Sequence, residues 1–556
     1  MDIKERASVT PPFLSHDLTK GAVMPQISLG AWVQALDDAG LLRRYTDEKR
    51  VDELAQLMED NPDKAILVER VKDCAFPFFA NGMQTQEICA LALGCDPREV
   101  SAEIGRRSTI HYPAQLVDTA PCKEVIIKGS DVDLTIFPLF LHHTFDGQAY
   151  INDGRIITRD PETGDINDGI QRLMYRSKDL LNIDMRAANH QGAINGEAYH
   201  ALKKDMPVAV CVGGPTLDQI SSMTRVPGAH IDGWDKLGGF LGGPAEVVRC
   251  ETVDLMVPAN AEIVLEGHVI TSEDWIHDEG PYGEATGTYG TEPLAHNWNV
   301  KVDCVTYRRK AIYQHASIGG LHPGRTDMYI WLPAIEGDLF ETLQRAGVHV
   351  LDVHLPPASC ENIAYARIRP VSGGDAKQAL GAMLTGSHHQ FPKVAYVFDE
   401  DIDIYDEEQV KWAQAWRYNP GIGTLLIPGQ NINPLDPSIT MKQLPVSITK
   451  IGFDCTMPLG QDNAKFARAL IMPPIEQPAD VEPLTEDEIE DKLRELLQQS
   501  PKSWREIVTY FAGQPYQHVY RAFGRLRPHL GRMADQGPDY PYTIADTEFV
   551  PGTRKD

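Results

Sequence analysis

Leu255-Met-Val-Pro-Ala-Asn-Ala-Glu-Ile-Val-Leu-Glu-Gly-His-Val269 carries two short apolar strands, Leu255–Val257 and Glu262–Val269, parted by a Pro/Asn loop. The same pattern continues outward. Strands are expected at Arg155–Thr158, Pro207–Val212, Asn299–Tyr307 and Ala311–Ala316, with a helix near Leu217–Met223 and Gly/Pro-bearing loops between them. Short strands joined in this way suit a β-barrel or sandwich more than a doubly wound sheet.

On both flanks the pattern becomes α/β. Residues 29–61 read as helical, from Leu29, Trp32, Val33, Leu36, Leu41 and Leu42 and then Val51, Leu54 and Leu57. Gln86–Leu93 and Pro97–Ile104 also read as helices, and Ile66–Val71 and Val125–Ile127 as strands. Beyond the strand-rich stretch, helices are expected at Met328–Glu336, Leu339–Ala346, Ala376–Leu384 and Glu407–Tyr418, with strands at Val348–His354, Ile363–Ile368 and Lys393–Phe398. Residues 475–484 read as a linker. Thr485-Glu-Asp-Glu488 is a capping box that opens a helix, followed by helices around Trp504–Phe511 and Val519–Met533. The expected fold class is α/β (α+β) in four parts: an N-terminal α/β domain (1–125), a central barrel domain (126–330), a C-terminal α/β domain (331–480) and a helical appendage (481–556).

A chain of 556 residues is too long for one core. Its 42% hydrophobic and 24% charged residues describe a soluble globular protein. No apolar run is long enough to span a bilayer, and MDIKERASVTPPF does not read as a signal peptide, so a cytoplasmic location is expected. Nine scattered cysteines without a CxxC argue for a reducing compartment and against a thiolate metal site. A net charge of −27 repels nucleic acid and anionic membranes, so neither is an expected partner. An anionic ligand would need local cations, backbone amides or a metal.

Glu279-Gly-Pro-Tyr-Gly-Glu284 sets two carboxylates on either side of a tight turn, next to His277 and Asp278. Two acids facing one pocket cannot both ionise cheaply, so one tends to keep a proton, which is what a proton-transfer enzyme needs. A solvated acidic loop would look the same. In Asn167-Asp-Gly-Ile-Gln-Arg172, with Arg186 and His190 downstream, Asn and His offer one oxygen and one nitrogen to a cation such as Mn²⁺ or Mg²⁺. In a chain with 18 histidines that signal is weak alone. Lys393 opens an apolar strand, where a lysine serves as a solvated edge or as a phosphate partner.

In combination and order these pieces resemble the UbiD-like family of prenylated-FMN-dependent (de)carboxylases. The matching residues are N-x-G-I-x-R at 167–172, His190, VPANAEIVLEG at 257–267, EGPYGE at 279–284, Lys393 with its DEDID tail, WAxxxR at 412–417 and GFDCT at 452–456, spanning roughly residues 30–475. The later part looks most like the hydroxybenzoate-decarboxylase branch.

The resemblance implies a split-barrel flavin domain holding prenylated FMN, with a divalent metal (Mn²⁺, or else Mg²⁺ or Fe²⁺) and K⁺ at its phosphate. Asn167 and His190 would be metal ligands. Ile170, Gln171, Arg172, Arg186, Ala187, Gln191 and Gly192 would line the cofactor, and Lys393 would reach its phosphate. Arg172, Glu279 and Glu284 would form the catalytic Glu–Arg–Glu network. One departure stands out: the family's third metal ligand is a glutamate, and none occurs in His230–Gly239, so Asp235 or Asp232 would have to substitute.

Losing CO₂ from an sp² carbon leaves a carbanion that no amino-acid side chain can stabilise, so a cofactor must serve as electron sink. The implied reaction is reversible decarboxylation of an aromatic or α,β-unsaturated acid. The implied partners are the acid, CO₂ and a flavin prenyltransferase that supplies the cofactor, in a homodimer or homohexamer. Alternatives are an aryl-CoA thioester or phenolic acceptor as substrate, or a non-catalytic subunit of a larger carboxylase. Arg325 falls near a substrate-recognition position of some relatives, and equally suits a surface loop.

Overall fold

In the computed structural model, which describes residues 26–185, 191–225, 231–276, 278–289, 297–386, 392–431, 435–438, 447–459, 466, 468–478, 480–532 and 541–544, capping fixes the first element. Ser28 accepts the Ala31 N–H and starts helix Leu29–Asp38, which buries Leu29, Trp32, Val33 and Leu36. The helix does not run on to residue 61. Gly40, at φ +71°, turns the chain into strand Leu42–Tyr45, which pairs parallel with Ala65–Val68. A four-stranded sheet follows in the order Leu42–Tyr45, Ala65–Val68, Phe78–Ala80, Tyr313–His315. Its last strand is the one expected at Ala311–Ala316, so a stretch counted with the barrel belongs to the N-terminal sheet instead.

The central region is a closed barrel of six antiparallel strands: β1 (Tyr150–Arg159), β2 (Ile166–Ser177), β3 (Leu180–Asp184), β4 (Met206–Val212), β5 (Ile263–Val269) and β6 (Asn297–Tyr307). Neighbours run β5-β4-β1-β2-β3-β6, and β6 pairs back onto β5. Closure leaves no edge among these six. The stretch Leu255–Val257 lies outside the barrel, as strand Met256–Pro258 of a separate three-stranded sheet.

Strands β2 and β3 were absent from the sequence-based expectation. Asn167, Asp168, Gln171 and Arg172 interrupt the apolar alternation of β2. Asp168 is satisfied internally: fully buried Arg155 binds it at 3.2 and 2.7 Å and binds Asp218 at 3.3 Å.

The C-terminal sheet orders Val350–His354, Ile363–Ile368, Val394–Asp399, Ile448–Cys455 and Thr424–Gln430. The two helices expected before it are one, Trp331–Arg345, continuous through Gly337 and Asp338. The WAxxxR and DEDID motifs meet here: Arg417 holds Asp401 at 2.7 and 2.6 Å and Asp399 at 3.3 Å. Burial pushes the Asp399 carboxyl up to about 6 despite that pairing.

Helices Glu486–Gln499, Trp504–Tyr510 and Tyr516–Leu526 close on a core of their own around Leu493, Leu497, Ile507, Val519 and Leu526. The Thr485/Glu488 capping box is formed. The last helix stops at Leu526 rather than Met533: Pro528 has no N–H to continue the helical ladder, and Arg527–His529 passes into a short 3₁₀ turn. The chain then forms a ribbon, Leu530–Arg532 with Tyr542–Ile544. Among the described residues no helix is long and apolar enough to cross a membrane.

Candidate active site

β2 carries Arg172 to a bulge in the barrel wall. Ile151 pairs with Leu173 and Gly154 with Gln171, so Asn152 and Asp153 together oppose Arg172. On the other side, β3 continues one step beyond the Leu173–Ile183 pair and brings Asp184 across from Arg172.

The Glu279–Glu284 turn is held against β2 by residues 143–147. Gly147 donates to the Pro281 carbonyl at 2.7 Å, and the Gly283 N–H donates to Asp146 Oδ1 at 2.9 Å. His143 binds Asp146 through its backbone N–H at 2.8 Å and faces it with Nδ1 at 3.2 Å. Burial alone would raise the Asp146 carboxyl, but the hydrogen bonds from His143 and Gly283 bring it below its ordinary range. The fit is tight enough to demand glycine at 283: a Cβ there would sit 2.3 Å from His143 Nδ1.

These constraints converge on one guanidinium. Arg172 Nε donates to Glu279 Oε1 at 2.8 Å and Nη2 to Glu279 Oε2 at 2.9 Å, a two-point pairing along one edge. Along the outer edge Nη1 reaches both oxygens of Glu284 at 3.2 Å, while Nη2 pairs with Asp184 Oδ2 at 3.0 Å. Tyr150 Oη donates to Glu279 Oε1 at 3.1 Å, and the guanidinium lies 4.4 Å over the Tyr282 ring. Glu279 and Glu284 are 3% and 6% exposed, so water screens these charges little. Burial works against the charged guanidinium, but the pull of Glu284, Asp184 and Glu279 outweighs it and raises the Arg172 pKa. Beside the charges lies an apolar cluster of Tyr150, Met174, Tyr282, Ala316 and Ile318. Asp184, Asp146, His143 and Tyr150 all belong to this arrangement and were missed from sequence. Hairpin register would have found Asp184, because it sits opposite Arg172 across a short β2–β3 turn.

Asn167 lies five residues before Arg172 on β2; its Nδ2 is shielded from solvent and has no hydrogen-bond partner among the described residues. That orphaned amide suits a ligand. Because amide O and N are assigned from hydrogen bonds, the same group can present its carbonyl oxygen to a cation. Of the substitute acids, Asp232 is occupied: it caps helix Gly233–Leu241 through the Trp234 N–H (2.9 Å) and accepts the Ile166 N–H (3.1 Å). Asp235 lies in the first turn of the same helix, half-buried. That helix start is pressed onto β2, since a Cβ on Gly233 would lie 2.9 Å from the Asp168 Cβ. No longer side chain fits at 233 without moving the strand. Among the described residues no group of three His, Cys, Asp or Glu could hold a metal. His190, Arg186 and Ala187 lie outside the described residues. Gln191 and Gly192 open helix Gln191–Ala201, with Gln191 bonded to Asn195 at 2.9 Å.

Lys393 comes from the C-terminal domain. Its ammonium spends two of three donors, on Asp436 (2.7 Å) and Ser438 (2.8 Å). Its backbone N–H binds Asn362, in the same loop whose Cys360 contacts the carbonyl of Ala285, next to Glu284, at 3.2 Å. The C-terminal domain thus borders the acidic turn. Arg325 is exposed.

Three domain models match the chain: the 3-octaprenyl-4-hydroxybenzoate carboxy-lyase N-terminal domain over 33–108, its Rift-related domain over 115–322 and its C-terminal domain over 328–455. The phenolic acid decarboxylase of Sedimentibacter hydroxybenzoicus is 29% identical over 84% of this chain and 98% of its own. The structure is similar to the UbiD-class enzyme HmfF of Pelotomaculum thermopropionicum in complex with FMN: TM-score 0.73 and 30% identity over 80% of this chain and 97% of that one. An evolved dimeric form of that enzyme, in complex with prFMN, matches at TM-score 0.70 and 29% identity, again over 80% and 97%.

Proposed function

The chain belongs to the UbiD family of 3-octaprenyl-4-hydroxybenzoate carboxy-lyases, and on that premise we propose that it decarboxylates an aromatic or α,β-unsaturated carboxylic acid, reversibly and without oxidation, using prenylated FMN. The observation that carries this reading is the arrangement of Glu279 and Glu284 on two edges of Arg172, beside a buried apolar cluster. When bound, the modified flavin supplies the electron sink that CO₂ loss from an sp² carbon requires.

The chain's own residues have the proton to manage. Arg172 with Asp184, Glu279 and Glu284 is a buried group of one cation and three carboxylates. Glu279, gripped through both oxygens and by Tyr150, serves as the fixed counter-charge. Glu284, which meets the guanidinium at Nη1, gives and takes the proton at its carboxylate oxygen. Both edges of Arg172 face protein carboxylates, so its task is to hold the acids in place rather than to grip the substrate.

The same reading gives the cofactor its partners. Ile170, Gln171, Arg172, Arg186, Ala187, Gln191 and Gly192 would line it, and the remaining donor of Lys393 would meet its phosphate. Asn167 and His190, with Asp235, would hold a divalent metal such as Mn²⁺, and K⁺ would add positive charge there. In a chain of net charge −27, those cations would offset a dianionic phosphate. The test is production with and without a flavin prenyltransferase, followed by a screen of aromatic acids for CO₂ release. Activity is expected only in the co-produced protein; equal activity without the prenyltransferase would refute the proposal.

A further inference from the structure

The helices after residue 485 are joined in a definite order. Helix Glu486–Gln499 is followed by Lys502, whose backbone pairs with that of Tyr542 through two N–H to carbonyl bonds of 2.9 and 2.7 Å. Helix Trp504–Tyr510 comes next, then a turn over 511–515, then helix Tyr516–Leu526. The ribbon of Leu530–Arg532 with Tyr542–Ile544 closes the unit, so its second strand lies between Lys502 and its first. Two helices joined by a short glycine-bearing turn, with one helix ahead of them and a small sheet behind, make a winged helix-turn-helix. The turn has the glycine that such a bend needs: Gly513 has φ +84°, and a Cβ there would sit 2.6 Å from Val481 Cγ2. In helix-turn-helix proteins the helix after the turn is the one that reads a duplex.

We propose that this unit binds duplex DNA, with helix Tyr516–Leu526 in the major groove. Local charge supports it. Asp and Glu make up 79 of the 556 residues, yet none occurs from Ile507 to Ala534, a stretch that holds Arg521, Arg525, Arg527 and Arg532. The inward side of the helix, Val519, Ala522 and Leu526, packs on the core of the appendage. Its outward side shows Tyr516, Gln517, Tyr520 and Arg521, residue types that bond to phosphates and base edges. Arg521 and Arg525 are tied to Glu486, Asp487 and Glu490 at 2.9 to 3.0 Å, but they stay 57% and 43% exposed. Such exposed pairs contribute little, so phosphates can take the place of those acids. Arg505 and Arg527 are exposed as well, and neither has an acid within ion-pair distance among the described residues. The net charge of −27 speaks against nucleic acid at long range only. At physiological salt it is screened beyond about 8 Å, and a groove contact is decided by charges closer than that.

The test uses the full chain and a fluorescein-labelled random-sequence duplex of about 30 bp, followed by anisotropy. Binding is expected in the micromolar range at about 50 mM salt, weakening at least about tenfold by about 200 mM as counterions return to the phosphates. The double variant Arg505→Glu/Arg527→Glu is expected to bind at least about tenfold more weakly with an unchanged thermal melt. Arg505→Lys/Arg527→Lys, which keeps the charge, should stay within about threefold of the wild type. Gln517→Glu, at an exposed position with no hydrogen-bond partner among the described residues, repeats the test should the charge reversal unfold the appendage. No binding at about 100 µM protein and about 50 mM salt overturns the proposal, as does equal affinity of the charge-reversed protein. Self-association of the wild type that the charge reversal abolishes, with no binding of duplex by either protein, overturns it too and makes this face a contact between copies of the chain. These readouts involve neither flavin nor CO₂ release, so they hold whatever becomes of the function proposed above.

Discussion

At the scale of single residues the site is a problem in sharing one guanidinium among three carboxylates. Arg172 pairs with all three, and its pairing with Glu279 alone uses two of its three nitrogens. In the proposed mechanism these unlike surroundings give different tasks to chemically identical glutamates. Glu284→Gln keeps the size and removes the exchangeable acid. It is expected to lower kcat by about 100-fold or more while flavin content stays at the wild-type level, measured by CO₂ release and by absorbance of the bound cofactor. A near-normal rate in that variant would remove Glu284 from the mechanism.

At the scale of elements, the acidic turn owes its position to the 143–147 segment. Asp146 accepts the Gly283 N–H, Gly147 donates to the Pro281 carbonyl, and the His143 ring lies where any side chain at 283 would go. Gly283→Ala must therefore push the turn or the ring. It should cost about 1–3 kcal/mol of stability by overpacking and displace Glu284 from Arg172, with at least about a tenfold loss of turnover. Adding His143→Ala should recover part of both losses, because it removes the atoms that the new methyl meets. No recovery in the double variant, by thermal melt and by rate, would mean that the collision is not the cause.

At the scale of the whole molecule, the barrel and the two α/β domains share buried core, with residues of the N-terminal helices, helix Gly233–Leu241 and the C-terminal sheet in one cluster. The three helices after residue 485 bury their apolar faces in a separate cluster, and the family models end at 455. We expect calorimetry to resolve the appendage as its own transition. Leu493→Ala should weaken that transition by about 2–5 kcal/mol and leave the main one in place, as should deletion of residues 475–556. Collapse of the main transition on deletion would show that the appendage supports the rest.

How much of this was legible in the sequence varies with the range of the interaction that decides it. The capping boxes, the helix periodicity and the stretch 257–284 are local, and local geometry follows from neighbouring side chains, so elements such as Gln86–Leu93, Ile363–Ile368 and the helix after Thr485 are found where they are expected. Residue types and spacing also singled out Glu279 and Glu284, while Arg172 was given its place beside them only by the family resemblance. The strands that carry Arg172 and Asp184 were hidden, because their polar residues break the alternation that marks a half-buried strand, and only the closed barrel provides buried partners for such residues. The exchange of Tyr313–His315 into the N-terminal sheet and the meeting of Asp146 with Gly283 across 137 positions were decided by the tertiary structure alone. Contacts between residues so far apart are set by chain closure and packing, which no local pattern of residues records.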